Sequence, residues 1–196
     1  MNSYAFYRAL AHPATVVRLM FQIRFPVQPR PPADVVGWPS AMNISTSTSI
    51  VIPHPRPEVF EFACDNATYE RDLRPRGLIA GIEKAEMFEG HALEEGALRR
   101  ISMTDGSVLT EQVLDYNPPS RHRYRWTEGV KPPFSFLVRS GTGCWDFSEV
   151  EGGTRVEWSY VFELKSALAY PLLLLVVPLF RGWQKQGLEA IRSDMG

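Results

Sequence analysis

Near its end the chain reads "TRVEWSYVFEL", which puts Val156, Trp158, Tyr160, Phe162 and Leu164 on one side and Arg155, Glu157, Ser159 and Glu163 on the other. Side chains alternate across a strand, so this stretch has one greasy face and one charged face. The segment before it agrees, with Gly143, Trp145 and Phe147 alternating with Cys144, Asp146 and Ser148. "RHRYRW" sets His122, Tyr124 and Trp126 against Arg121, Arg123 and Arg125. A sheet with so aromatic a face has to be covered. The only element long enough to cover it is a helix expected within residues 166–193, with an apolar stripe read as Leu172, Leu175, Val176, Leu179, Trp183 and Ile191. Bulky partners on both sides leave two outcomes open, a solid core or a lined pocket.

The rest of the chain supplies the other parts of such a sheet. "ISTSTSIVI", from Ile44, is β-branched and partly alternating and reads as a strand that Pro53 and Pro55 stop. "RPEVFEFACDNATYERDL" reads as two short helices, the second capped by Asp65 or Asn66. Strand-like runs follow at roughly 79–88, 97–103, 107–116, 121–127, 134–138, 142–149 and 154–164. "TDG", "NPPS" and "EGG" between them are hairpin chemistry. The expected fold class is α+β: a curved antiparallel sheet of about six or seven strands, two short helices after the first strand, and a long C-terminal helix.

The greasiest run, "YPLLLLVVPLFRGW" at 170–183, raises the question of a membrane. Its uncharged stretch, residues 167–180, reaches only about 21 Å as a helix against about 30 Å of bilayer hydrocarbon. Pro178 is expected to interrupt a helix begun at Pro171. A spanning helix is therefore disfavoured, while transient contact with a membrane surface stays open. Residues 1–43 form an extension, acid-poor and with four arginines, that ends in the proline-rich "PVQPRPPADVVGWPS". They read either as a poorly ordered tail or as a targeting or membrane-surface segment. The domain proper is expected over 44–196.

Net charge of −1 over 196 residues gives no basic surface for nucleic acid. Cys64 and Cys144 lie far apart without metal-ligand companions, which suits reduced thiols in a cytoplasmic protein.

Three segments resemble the START-like (SRPBCC) superfamily, in its polyketide cyclase/dehydrase branch: "SIVIPHPRPEVFEFACDNATYERD", "EQVLDYNPPSRHRYRW" and "GTGCWDFSEVEGGTRVEWSYVFEL". The resemblance covers residues 44–195 in order. It implies a helix-grip fold, with the sheet curled round the long helix and a hydrophobic cavity between them. Members of the branch include cyclases and aromatases, and many are simply binders of lipids or other apolar molecules. Two departures stand out. The family commonly shows an aromatic after the second short helix, where this chain has "YERDLRPRG" with Leu73, and the N-terminal extension has no counterpart.

Catalytic signatures are thin. His12, His54, His91 and His122 show no HxH or HExxH spacing, and no GxSxG, CxxC, Walker or dinucleotide glycine pattern occurs. No metal and no cofactor are expected, and "GTG" at 141–143 reads as a strand-opening turn. The expected partner is an apolar small molecule or lipid, lined by Tyr124, Trp126, Trp145, Phe147, Trp158, Tyr160, Phe162, Leu175, Leu179 and Trp183. The alternative is an enzyme of the polyketide cyclase, aromatase or dehydratase type, moving protons on a bound carbonyl compound. Its candidate groups are Glu111, if it points inward, and His122, with Tyr124, Tyr160 and Arg100 as orienting groups. Both faces of the strand around Glu111 carry apolar residues, so its direction stays open. Oligomeric state has no signature.

Overall fold

Hairpin turns dictate the topology. In the computed structural model, which describes residues 42–196, β1 (Asn43–Ile52) is followed by α1 (Arg56–Cys64) and α2 (Asn66–Asp72). A meander then runs through β2 (Ile82–Met87), β3 (Leu98–Met103), β4 (Val108–Asn117), β5 (Arg121–Glu128), β6 (Val138–Val150) and β7 (Gly153–Leu164). Every neighbouring pair is antiparallel, in the order β1-β7-β6-β5-β4-β3-β2. The chain closes with α4 (Tyr170–Asp194). The expected helix-grip architecture is thus present with seven strands. Of the expected extension, residues 1–43, residues 1–41 lie outside the described residues and Asn43 already opens β1.

The "EGG" turn shows why the sequence needs glycine there. Gly153 has φ +140°, and a Cβ on it would lie 2.1 Å from the Ile52 carbonyl oxygen. That close approach lets β1 pair with β7 along all ten of its residues.

Two strand expectations move. Residues 134–137 form one helical turn, α3 (Phe134–Leu137), because Pro132 and Pro133 precede them and open a turn. The following strand begins at Val138, so "GTG" lies inside β6 and opens nothing. Those glycines have a packing role. A Cβ on Gly141 would meet the rings of Trp126 and Tyr160, and one on Gly143 the Tyr124 ring, all within 2.8 Å. The bare backbone of β6 is where the aromatic side chains of β5 and β7 lie flat.

The C-terminal helix differs from expectation in two ways. Pro171 sits in its first turn and Pro178 inside it, yet it continues as one helix of 25 residues. Pro178 lies on the exposed side, where the hydrogen bond it removes opens toward water. The stripe facing the sheet is Leu173, Trp183, Gln184, Gly187, Leu188 and Ile191, with Val177 and Phe180 half-buried along it. Leu172, Leu175 and Leu179, read as inward, face outward. The run is apolar all round, so periodicity there carries no phase. Counting back from Trp183 by three or four residues reaches Phe180, Val177 and Leu173, and a slip of one residue rotates the chosen face by about 100°. At the far end Gly187 leaves room for Leu73, whose Cδ2 would be 2.5 Å from a Cβ there. Leu73, the family departure, is thus a buried partner of the helix.

Candidate functional site

The concave face of the sheet and the inner stripe of α4 enclose a continuous layer of rings. Trp145 stacks on Trp158 at 4.3 Å between centroids, and Trp158 meets Trp183 of α4 at 5.3 Å. Phe180 of α4 touches Tyr160 at 4.9 Å and Phe162 at 5.0 Å, while Phe134 of α3 covers Phe162 at 5.6 Å. Trp126 donates its indole N–H to the Tyr160 hydroxyl. Phe147 packs edge-on to Phe60 of α1. Of the expected ligand-lining residues, Tyr124, Trp126, Trp145, Phe147, Trp158, Tyr160, Phe162 and Trp183 are therefore brought together and buried. Leu175 and Leu179 are not: they are 70% and 46% exposed on the outer side of α4.

An open hydrophobic chamber was expected here; rings in mutual contact line that space. Two hollows, of about 400 and 370 Å³, lie on the outer surface. One is at Pro53–Pro57 and the "EGG" turn, the other between α1 and Met195, and no concave-face ring lines either.

Beneath α1 and α2 the interior turns polar. Arg99 on β3 pairs across the ladder with Glu111 on β4, and both side chains enter the interior. Arg99 donates to Glu111 Oε2 through Nε at 3.1 Å and Nη2 at 2.8 Å, and through Nη1 to Asn66 Oδ1 at 3.4 Å. Its guanidinium lies 4.2 Å from the ring centre of Tyr69 on α2 and 5.8 Å from that of Tyr124. Burial works against the Arg99 charge, but Glu111 and Tyr69 outweigh it and hold the pKa above its ordinary value. On β4 Glu111 and Val113 face inward, Glu111 directly opposite Arg99 in an unbroken register with β3. The question its sequence left open is thereby answered. Arg100, the neighbour suggested by sequence, is exposed over the Phe88 ring.

His122 completes this end, fully buried between Tyr116 and Tyr124 at 5.7 and 5.4 Å. Neither ring nitrogen has a hydrogen-bond partner, and neither do the indole N–H groups of Trp145 and Trp158 or the Tyr69 hydroxyl. Desolvation, reinforced by the nearby Arg99 charge, lowers the His122 pKa from 6.5 to about 3. The phenols of Tyr124 and Tyr160 are pushed well up, chiefly by burial. Among the described residues no group of three His, Cys, Asp or Glu side chains could hold a metal ion.

A measurable pH dependence follows. The unfolded chain takes up a proton on His122 near pH 6.5, the folded chain only near 3. Between those values the unfolded state binds more protons, so stability falls as pH drops through the window. His122→Phe should flatten the pH dependence there by up to about 1.4 kcal/mol per pH unit. Urea unfolding at several pH values reads this, and equal slopes in both proteins would show that His122 is not held neutral.

The sequence of residues 43–196 matches the family described as polyketide cyclase/dehydrase and lipid transport. The chain belongs to that family. Among curated proteins none is significantly similar. Solved structures share the fold. The Zhui aromatase/cyclase from Streptomyces sp. R1128 aligns with TM-score 0.59 at 16% identity over 78% of this chain and 93% of its own. The di-domain ARO/CYC BexL of the BE-7585A biosynthetic pathway gives 0.58 at 19% identity over 79% of this chain, which spans 50% of BexL. A protein from Nitrosospira multiformis gives 0.57 at 21% identity over 78% of this chain and 97% of its own. Family membership thus points to cyclase-like or ligand-binding proteins built on the helix grip.

Sequence reasoning missed Arg99, Asn66 and Tyr69. The signal for Arg99 was present: it shares its strand face with Ile101, two residues on, and that face is buried. Asn66 and Tyr69 are three apart on a short helix and so share a face.

Proposed function

We propose that the protein binds a hydrophobic small molecule or lipid between the sheet and α4, with an oxygen of the ligand directed to the polar end at Arg99, Glu111 and His122. The reading rests on the unpaired polar atoms of the interior: both nitrogens of His122 and the indole N–H groups of Trp145 and Trp158. A buried donor or acceptor without a partner costs about 1–3 kcal/mol, so four on one face favour any guest that supplies partners. The guest displaces ring contacts made by Phe180 and Trp183, the two aromatic side chains that α4 lays on the sheet. Its lining would be the seven aromatic residues of the concave face with Trp183 of α4. Residues 44–196 are the binding unit, and the free thiols of Cys64 and Cys144 accord with a reducing, cytoplasmic setting.

Proton-transfer catalysis of the polyketide cyclase, aromatase or dehydratase type is the second reading, favoured by the presence of a carboxylate and an imidazole in one interior. Acid–base work near pH 7 needs a group poised there. His122 stays neutral down to about pH 3, the tyrosines keep their protons, and Glu111 is committed to Arg99. Binding fits these groups better than catalysis.

Native mass spectrometry of the purified chain and titration with a fluorescent fatty acid test the reading. One apolar molecule per chain, with about a tenfold weaker affinity in His122→Phe, is the expected result. A chain that carries no guest and takes up no probe saturably would overturn it.

A further inference from the structure

The outer side of α4 and the turn over residues 167–169 before it carry a row the ligand reading does not use. Leu168, Leu172, Leu175 and Leu179 follow one another at spacings of four, three and four residues, and all are exposed, Leu168 by 83%. Phe136 on α3 is 71% exposed, and α3 is tied to the same end of the helix by the Lys165 N–H donating to the Leu137 carbonyl at 2.9 Å. An aliphatic row of this length on a surface marks a contact with something apolar.

The charges around the row say what kind. From Lys165 to Leu188 the chain carries Lys165, Arg181 and Lys185 and no acid. The loop after α2 adds Arg74 and Arg76, held against α4 by the Trp183 indole donating to the Arg74 carbonyl and by Arg76 donating to Gln186. All five basic side chains are exposed, and Lys165 and Arg181 have no acidic partner among the described residues. Lys185 is paired with Glu189 at 3.7 Å, and the four other cations leave the leucine face with a basic excess, the pattern of a helix lying in the plane of an anionic bilayer.

Other occupants fit less well. A second copy docking through the same row would bring the unpaired Lys165 and Arg181 of both copies together, a like-charge contact that the single Glu189 does not offset. The chain's own residues 1–41 carry Arg8, Arg18, Arg24 and Arg30 against the single acid Asp34, so they too repel this rim. Residues 167–194 are long and apolar enough to cross a membrane by length and composition. However, Trp183, Leu188 and Ile191 are committed to the sheet, and Lys185, Glu189, Arg192 and Asp194 charge the second half. A helix so committed suits the surface of a bilayer better than a span across it.

We propose that the protein docks on anionic phospholipid membranes through Leu172, Leu175 and Leu179 of α4, with Leu168 of the turn before it and Phe136, steered by the surrounding lysines and arginines. This docking is independent of whether the interior takes a guest.

The test uses the full chain and two kinds of vesicle, phosphatidylcholine alone and phosphatidylcholine with about one-third phosphatidylglycerol. Co-sedimentation should be strong with the second, weak with the first, and reduced by salt. The variant Leu172→Ser/Leu175→Ser/Leu179→Ser should lose at least about tenfold in partitioning, with its circular dichroism spectrum retained and its melting midpoint only modestly lowered, because all three side chains are about half-exposed or more. Arg181→Gln/Lys185→Gln should lose the preference for anionic vesicles. An environment-sensitive dye on Leu175→Cys should shift to the blue only when such vesicles are added. A chain that stays in the supernatant, or a serine variant that binds as well as the parent, overturns the proposal. A dimer that the serine variant dissolves assigns the face to a second copy and overturns it. A dye already blue-shifted in the vesicle-free monomer assigns it to residues 1–41, with the same consequence.

Discussion

Replacing Arg99 by methionine should lower the free energy of unfolding by about 3–5 kcal/mol, among the largest losses any single change in this chain is expected to cause. Arg99 is 1% exposed and Glu111 6%, so the substitution strands a carboxylate in the interior with neither water nor a counter-ion. Glu111→Leu strands the guanidinium in the same way. The pair itself contributes far less than its rupture costs, because each charge gave up its hydration to enter. Arg99→Met/Glu111→Leu, two apolar side chains of similar volume, should therefore recover most of the loss, with a coupling of several kcal/mol in the cycle. Urea unfolding with a common m-value reads this directly. An Arg99→Met protein within 1 kcal/mol of the parent would show that water reaches the pair. The double variant also separates stability from binding: folded but without its polar end, it should still take up a plain hydrocarbon probe and bind an oxygen-bearing one more weakly.

That pair marks where the sequence stops being informative. Alternation in β5, β6 and β7 assigned every aromatic of the concave face to its side, because a strand's period of two survives as long as polar residues mark the other face. On β4 both faces hold apolar residues, so the direction of the carboxylate is legible only from its place opposite the buried Arg99 of β3. The first half of α4 failed for a related reason, since a run without polar residues has no phase. Its facing was set by Trp183, Leu188 and Ile191 further along. Closure of the interior was beyond any pattern. Whether facing aromatics leave a chamber depends on centroid distances of about 5 Å that only the packed side chains define.

Trp158→Ala should cost about 3–5 kcal/mol for a different reason, the void it leaves. The indole is 1% exposed, stacked on Trp145 at 4.3 Å and set against Trp183 at 5.3 Å, and it bridges the middle of the sheet to the helix. Neither neighbour can close the gap easily. Trp145 sits on β6 beside Phe147, and Trp183 is held by its indole bond to the Arg74 carbonyl at 2.9 Å. The space left is apolar apart from a few indole N–H groups, and such voids stay dry and accept flat aromatic guests. Indole added to the variant should restore part of the lost stability by mass action and leave the parent's melting midpoint unchanged. Recovery confined to Trp158→Ala would locate a guest-sized space between β7 and α4, on the path along which Phe180 and Trp183 must yield for a natural ligand. A variant that loses less than 1 kcal/mol, or that indole does not rescue, would mean that the rings collapse into the gap. A rigid aromatic layer would then no longer describe the interior.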